Sequence, residues 1–180
     1  MSARIAPVVP PPRLRVAEPD DLPEVALVRA RSWQAAYAGL VPHDVLSHLD
    51  EPERLDRWVA AYSGWGHART VVAEDDGRIV GFTSSGPERG PDDLPCGVHG
   101  RGEVYAIYTL PSVWGTGAGR ELLHHTLDEL VTSGYDHVTL WVLEGNSRAQ
   151  RFYERHGFAP TGERAQPADF LPELRYARRL

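Results

Sequence analysis

Apolar positions recur with two different periods along this chain, and the switches between periods mark its elements. Leu14–Val16 reads as a short strand. Leu22, Val25, Ala26, Trp33, Ala36, Tyr37 and Leu40 then form an apolar stripe at helical spacing, behind Asp20 and Asp21, either of which can cap a helix. Gly39 and Pro42 stop it. A short helix is expected over Asp44–Leu49. Another, carrying Leu55, Trp58, Val59 and Tyr62, follows the capping pair Asp50 and Glu53. Thr70–Ala73 and Arg78–Ser84 flank Glu74-Asp75-Asp76-Gly77, the pattern of a β-hairpin. Val104–Leu110 alternates and is rich in β-branched and aromatic residues, so it reads as a strand that Pro111 ends. From Arg120 the helical period returns with Leu122, Leu123, Thr126, Leu127, Leu130 and Val131. Val138–Val142 is the next strand. Asn146 is a good N-cap and Gly157 a good C′ residue for a helix with Ala149, Phe152, Tyr153 and His156 on one face. Strands near Phe158–Arg164 and Leu174–Arg178 close the chain.

The order is β, helices, ββ, loop, βα, βα, ββ. That pattern fits an α+β fold, a mixed α/β three-layer arrangement with one central sheet and helices on both faces. No repeat and no second domain boundary is visible, so residues 13–180 read as one domain. Residues 1–12 are a Pro-rich lead-in expected to be extended and flexible. The segment Ser84–Gly102 is dense in Gly and Pro and reads as one long loop, either shaping a site or solvated.

Composition narrows the class. The 180 residues are 42% hydrophobic and 24% charged, as expected of a globular domain. Lys and Arg number 19 and Asp and Glu 25, a net charge of −6, which argues against nucleic acid as a partner. The single cysteine, Cys96, cannot form an internal disulfide, so a reducing cytoplasm is the simplest compartment. No apolar run approaches the ~20 residues of a membrane span. His124 and His125 are adjacent and fall on different helix faces, a poor arrangement for metal ligation, so no metal is expected.

The candidate chemistry sits between the strand at Val104–Leu110 and the helix after it. Gly115, Gly117 and Gly119 occupy alternate positions. Glycines there let backbone N–H groups converge at a helix N-terminus, which is suited to phosphate oxygens. A P-loop is ruled out because no Lys follows these glycines. GxGxxG is ruled out because Arg120 holds its last position. The stretch Trp114-Gly115-Thr116-Gly117-Ala118-Gly119 instead resembles the acyl-CoA pyrophosphate loop of the GNAT superfamily of N-acyltransferases, written [Q/R]xxGx[G/A], with Trp114 in place of Gln or Arg. A second segment of that family follows in the right order: Asn146, Tyr153 seven positions later, then Gly157-Phe158.

The resemblance implies a central, mostly antiparallel sheet in which two parallel strands, Glu103–Leu110 and His137–Leu143, splay apart to admit acetyl-CoA. It implies transfer of the acetyl group to a primary amine of a small molecule or peptide. An alkylammonium is almost wholly protonated near neutral pH, so a base must first remove a proton. The resemblance makes Tyr153 the general acid for the leaving thiolate and Glu103 the base; Glu88, His99, or Tyr105 with a water chain are alternatives. Ile107, Tyr108 and Thr109 are expected along the pantetheine arm, with one N–H polarising the thioester oxygen. Gly115, Thr116, Gly117, Ala118, Gly119 and Arg120 are expected at the pyrophosphate, with Asn146 and Tyr153 also at the cofactor. Strand alternation would set Glu103, Tyr105, Ile107 and Thr109 on one face. Trp33, Tyr37, Tyr105 and Trp141 are expected around the acceptor. The rival readings are a non-catalytic acyl-CoA sensor and an enzyme acting on nucleotide phosphates. The sequence leaves the oligomeric state open between a monomer and a homodimer, though the resemblance makes a dimer a frequent arrangement.

Overall fold

The computed structural model describes residues 11–64, 66–90, 92–166 and 171–180. The lead-in expected over 1–12 falls outside them except for its last two positions. The chain runs β1 (Arg13–Val16), α1 (Leu22–Ala36), α2 (His43–Ser47), α3 (Pro52–Ser63), β2 (Arg69–Asp75), β3 (Arg78–Pro87), β4 (Arg101–Thr109), α4 (Ala118–Thr132), β5 (His137–Leu143), α5 (Ser147–Arg155), β6 (Ala159–Ala165) and β7 (Glu173–Arg179), with short 3₁₀ turns ahead of α1 and α4. The strands form one seven-stranded sheet in the order β1-β2-β3-β4-β5-β7-β6. All neighbours are antiparallel except β4 and β5.

Helices cover both faces. Val25 and Val28 of α1 pack on Val72, Ile79 and Phe82 of the sheet. On the other face Leu123, Leu127 and Leu130 of α4 and Tyr153 of α5 pack on Val104, Val138, Leu140 and Val142. Val131, expected in the buried stripe of α4, is 53% exposed because the stripe is narrower than the run of apolar residues.

Several local expectations shift. The acids before α1 do not cap it directly. Asp21 instead closes a box with Glu18, whose backbone N–H donates to the Asp21 carboxylate at 2.7 Å. The expected pair Asp50 and Glu53 gives way to Glu51 as N-cap of α3, with Pro52 pre-set for the first helical position. The loop expected from Ser84 is shorter, because Ser85, Gly86 and Pro87 stay paired with Val104, Glu103 and Gly102.

Two features of β4 position the site. The first is its pairing with β5, which runs from Arg101↔His137 to Val104↔Leu140 and then stops. Beyond that point the two strands diverge. The second is a β-bulge. Ser85 pairs with Val104 and Ser84 with Ala106, which leaves Tyr105 as an extra residue. A bulge reverses the alternation beyond it. The face expected to hold Glu103, Tyr105, Ile107 and Thr109 together is therefore broken. Ile107 packs with Leu122 on the α4 side, whereas Ala106 and Tyr108 pack with Val25 and Val28 on the α1 side.

Candidate active site

A cleft of about 1000 Å³ opens where β4 and β5 part. One end is walled by the Gly loop and α5, the other by α1, the start of β7 and the loop after β3.

Backbone chemistry dominates the first end. Leu110 N–H donates to Val80 carbonyl at 2.8 Å, so the Leu110 peptide faces β3. Alternation turns the peptide groups of Ile107 and Thr109 the other way, into the gap that β5 vacates. The Thr109 carbonyl is already occupied. It accepts from Ser32 Oγ at 2.8 Å and from Trp114 Nε1 at 3.0 Å. Ile107 and the Thr109 N–H remain as an open strand edge.

Gly115 and Gly117 have φ of +82° and +104°, conformations that side chains with a Cβ avoid. Gly117 is the N-cap of α4, and no side chain caps that helix. The first-turn N–H groups, which no intrahelical carbonyl satisfies, are thus presented to an anion. Gly115, Gly117, Gly119 and Arg120 line the cleft. Thr116 and Ala118 do not. The Thr116 hydroxyl turns back to Val113 carbonyl at 2.8 Å, and Ala118 is buried under the helix. Trp114 serves as a platform: the Arg148 guanidinium lies 3.7 Å from its ring centroid. Arg148, Arg155 and Arg120 make this end cationic. Asn146 lines the cleft and caps α5, accepting from Ala149 N–H at 3.1 Å.

Tyr153 sits at the junction of the two ends. It is 8% exposed, edge-on to Phe152 and Phe158, and lines the cleft. Burial pushes its phenol well above the usual value, with the nearby Tyr108 adding to the effect, so the group stays protonated through the neutral range. Tyr37, also pushed up mainly by burial, lies beside Tyr108 and Tyr153.

The second end is aromatic and acidic. Trp33 and Tyr37 meet edge-to-face at 4.8 Å, and Tyr105 and Trp141 complete the wall. Its carboxylates among the described residues are Asp93, Glu103 and Glu173. Glu103 is 2% exposed and clasped by Arg89. The Arg89 backbone N–H donates to one oxygen at 2.9 Å, while its Nη2 and Nε donate to the other at 2.6 and 3.2 Å. Glu88 is also buried and pairs with Arg175 and Arg101. Tyr105 donates to Pro87 carbonyl at 2.5 Å, and burial, with Glu103 adding to it, raises its pKa above the ordinary phenol value. His99 is exposed and lies outside the cleft. Of the residues the sequence singles out, Tyr153, Glu103, Asn146 and the aromatic wall line the cleft; Arg89, Arg148, Ser32 and Glu173 line it too but are not singled out, because their place there depends on contacts distant along the chain.

No cluster of three or more His, Cys, Asp or Glu able to hold a metal occurs among the described residues. No helix among them is long and apolar enough to cross a membrane.

Comparison with known proteins bears on this cleft. An uncharacterized N-acetyltransferase of Bacillus subtilis (strain 168), YuaI, is 34% identical over 135 residues, spanning 74% of this chain and 72% of its own length. An uncharacterized N-acetyltransferase of Mycobacterium tuberculosis (strain ATCC 25618 / H37Rv) is 35% identical over 146 residues, or 80% of this chain and 86% of its own. The crystal structure of the PaiA N-acetyltransferase from Thermoplasma acidophilum, in complex with coenzyme A, shares the fold with a TM-score of 0.72 at 18% identity, over 93% of this chain and 98% of that one. Residues 33–158, which hold the gap between β4 and β5, the Gly loop and Tyr153, match the model of the acetyltransferase (GNAT) family, and the chain is an acetyltransferase belonging to that family.

Proposed function

We propose that the protein transfers the acetyl group of acetyl-CoA directly to a primary amine of a small molecule or peptide. The observation that supports this reading most is the convergence on one cleft of an inward-facing strand edge, an uncapped helix N-terminus and a buried, protonated tyrosine. The pantetheine arm pairs with Ile107 and Thr109 beside Tyr108, as an added strand would. One of these N–H groups supports the thioester oxygen as negative charge develops on it. The pyrophosphate rests on the backbone of residues 115–120, with charge from Arg120 and Arg148.

With the cofactor along β4, the remaining volume is the acidic and aromatic end, where Trp33, Tyr37, Tyr105 and Trp141 suit a cationic amine. Positioning the amine against the thioester removes much of the entropic barrier. The amine nitrogen attacks the acetyl carbon, the C–S bond breaks, and Tyr153 protonates the departing thiolate.

The test is CoA-thiol release from acetyl-CoA across a panel of polyamines, amino acids, aminoglycosides and peptide N-termini, against an amine-free control. Release with one class establishes the reaction and its acceptor. No release above control from folded protein that binds acetyl-CoA overturns the reading in favour of a sensor.

A further inference from the structure

The proposed reaction needs a proton acceptor, and the residue expected for it is spoken for. Three N–H groups of Arg89 donate to Glu103, two to one oxygen and one to the other, so its carboxylate is committed to an ion pair before any substrate arrives. Asp93 reaches Arg89 at 3.3 Å from the rim, with its side chain 76% exposed. Glu88 is tied to Arg175 and Arg101 and does not line the cleft.

Glu173 is different. It begins β7 and pairs across the sheet with Leu143 of β5 and Ala165 of β6. Directly opposed residues share a sheet face. Leu143 packs with Tyr37 on the α1 side, which puts Glu173 on the side of the sheet where the acceptor enters. Glu173 lines the cleft, is half-buried, and makes no side-chain hydrogen bond or ion pair among the described residues. The charged and titratable groups that face it are Tyr37 just after α1, Arg89 and Asp93 of the β3–β4 loop, and Glu103 of β4. On its own strand Arg175 is committed to Glu88 and Glu163.

We propose that Glu173 is the proton acceptor for the amine substrate, taking the ammonium proton directly or through one water. The assignment rests on the acetyl-transfer reading above. The ammonium N–H bond breaks, its proton moves to a Glu173 oxygen, and the nitrogen keeps the electron pair. That pair forms the C–N bond as the C–S pair leaves on sulfur. Tyr153 protonates the sulfur and is restored by the second proton that nitrogen loses on becoming an amide. Glu173 releases its proton to solvent, so the turnover yields amide, CoA thiol and one proton.

The surroundings suit the task. Burial pushes the Glu173 carboxyl above its ordinary value of 4.5; Arg89 opposes that shift, and Glu103 and Asp93 add to it. A base works best when its pKa approaches the working pH. The sign follows: Glu173 must be deprotonated to act, so kcat/KM falls as pH drops through its raised pKa.

The experiment compares wild-type protein with Glu173→Gln and Glu173→Asp, over the pH range of the ascending limb of kcat/KM. Two acceptors are used: the preferred amine, and a weakly basic fluoroalkylamine that is already neutral at the assay pH. Glu173→Gln should lower kcat/KM for the preferred amine about 100-fold and abolish the limb. Its deficit with the fluoroalkylamine should shrink to within about threefold, a rescue that a merely structural role does not give. Glu173→Asp should keep the limb at reduced rate. Acetyl-CoA affinity by calorimetry should not change. A Glu173→Gln rate within about threefold of wild type with the limb intact overturns the assignment. So does an equal loss for both amines, or a Glu173→Asp profile that has lost the limb. If wild-type protein turns over no amine at all, the acetyl-transfer reading falls first and this one with it.

Discussion

Glu103→Gln separates a structural carboxylate from a catalytic one. Glu103 accepts three N–H bonds from Arg89 while 2% exposed, and the Arg89 guanidinium also stacks 4.4 Å from the Tyr105 ring centroid. Removing one partner of a buried ion pair costs about 3–5 kcal/mol, because the other charge is left without compensation. The amide keeps one acceptor oxygen, so the lower end applies, about 3 kcal/mol. At roughly 2–4 °C per kcal/mol for a chain of this size, Tm should fall by about 6–12 °C. Circular dichroism melting at neutral pH measures this. Adding Arg89→Met to Glu103→Gln should recover part of the loss, since the guanidinium that has lost its buried carboxylate is gone and a double-variant cycle isolates the coupling. The ascending limb of kcat/KM should stay where it is in wild type. A Tm unchanged to within about 2 °C, combined with a displaced limb, would refute the argument and restore Glu103 as the base.

Three further outcomes follow from the same geometry. Tyr153→Phe removes the hydroxyl proposed to donate the proton but keeps the ring packed between Phe152 and Phe158; kcat should fall about tenfold or more with acetyl-CoA affinity nearly unchanged, and steady-state kinetics with calorimetry check both. Gly117→Val forces a β-branched residue to a φ of +104° and thrusts a side chain toward the proposed pyrophosphate position. It should weaken CoA binding strongly, and calorimetry that finds equal affinity in a folded variant contradicts the pyrophosphate position. Asp21 is held below the usual carboxylate range chiefly by Arg15, which reaches it at 2.6 and 2.8 Å. Its stabilising contribution is therefore full above the unfolded pKa and fades as pH falls through the lowered folded value. Asp21→Asn should cost about 1 kcal/mol at neutral pH and nothing in strong acid, a difference that denaturant titrations at several pH values resolve.

What the sequence discloses here is what local spacing encodes. The glycines at 115 and 117 need their left-handed backbone whatever surrounds them, and Asn146 caps α5 from three residues away, so both motifs are legible. The bulge at Tyr105 is not, because nothing in Gly102–Thr109 marks an extra residue; it exists only relative to Ser84 and Ser85 of the partner strand. That one residue defeats the alternation argument for half of β4. The capture of Glu103 by Arg89 depends on how the β3–β4 loop folds back. Glu173 reaches the cleft only because β7 inserts between β5 and β6, an order that chain sequence does not reveal. Trp114 departs from the family pattern in its own segment, yet its reason, a bond to the Thr109 carbonyl and a stack under Arg148, needs three elements at once.

The inward-facing edge at Ile107 and Thr109 bears on how this protein behaves in a crowded solution. An unpaired strand edge at a surface is a template for aggregation. The two outer edges of this sheet are blunted: β1 is four residues long, and β6 is broken by a register shift between Pro160 and Arg164, with Gly162 at a φ of +89°. The remaining open edge lies at the bottom of a cleft, between α1 and α5 of its own chain. The fold thus keeps peptide groups open to a slender ligand, while the outer edges among the described residues give a neighbouring chain little regular strand to join.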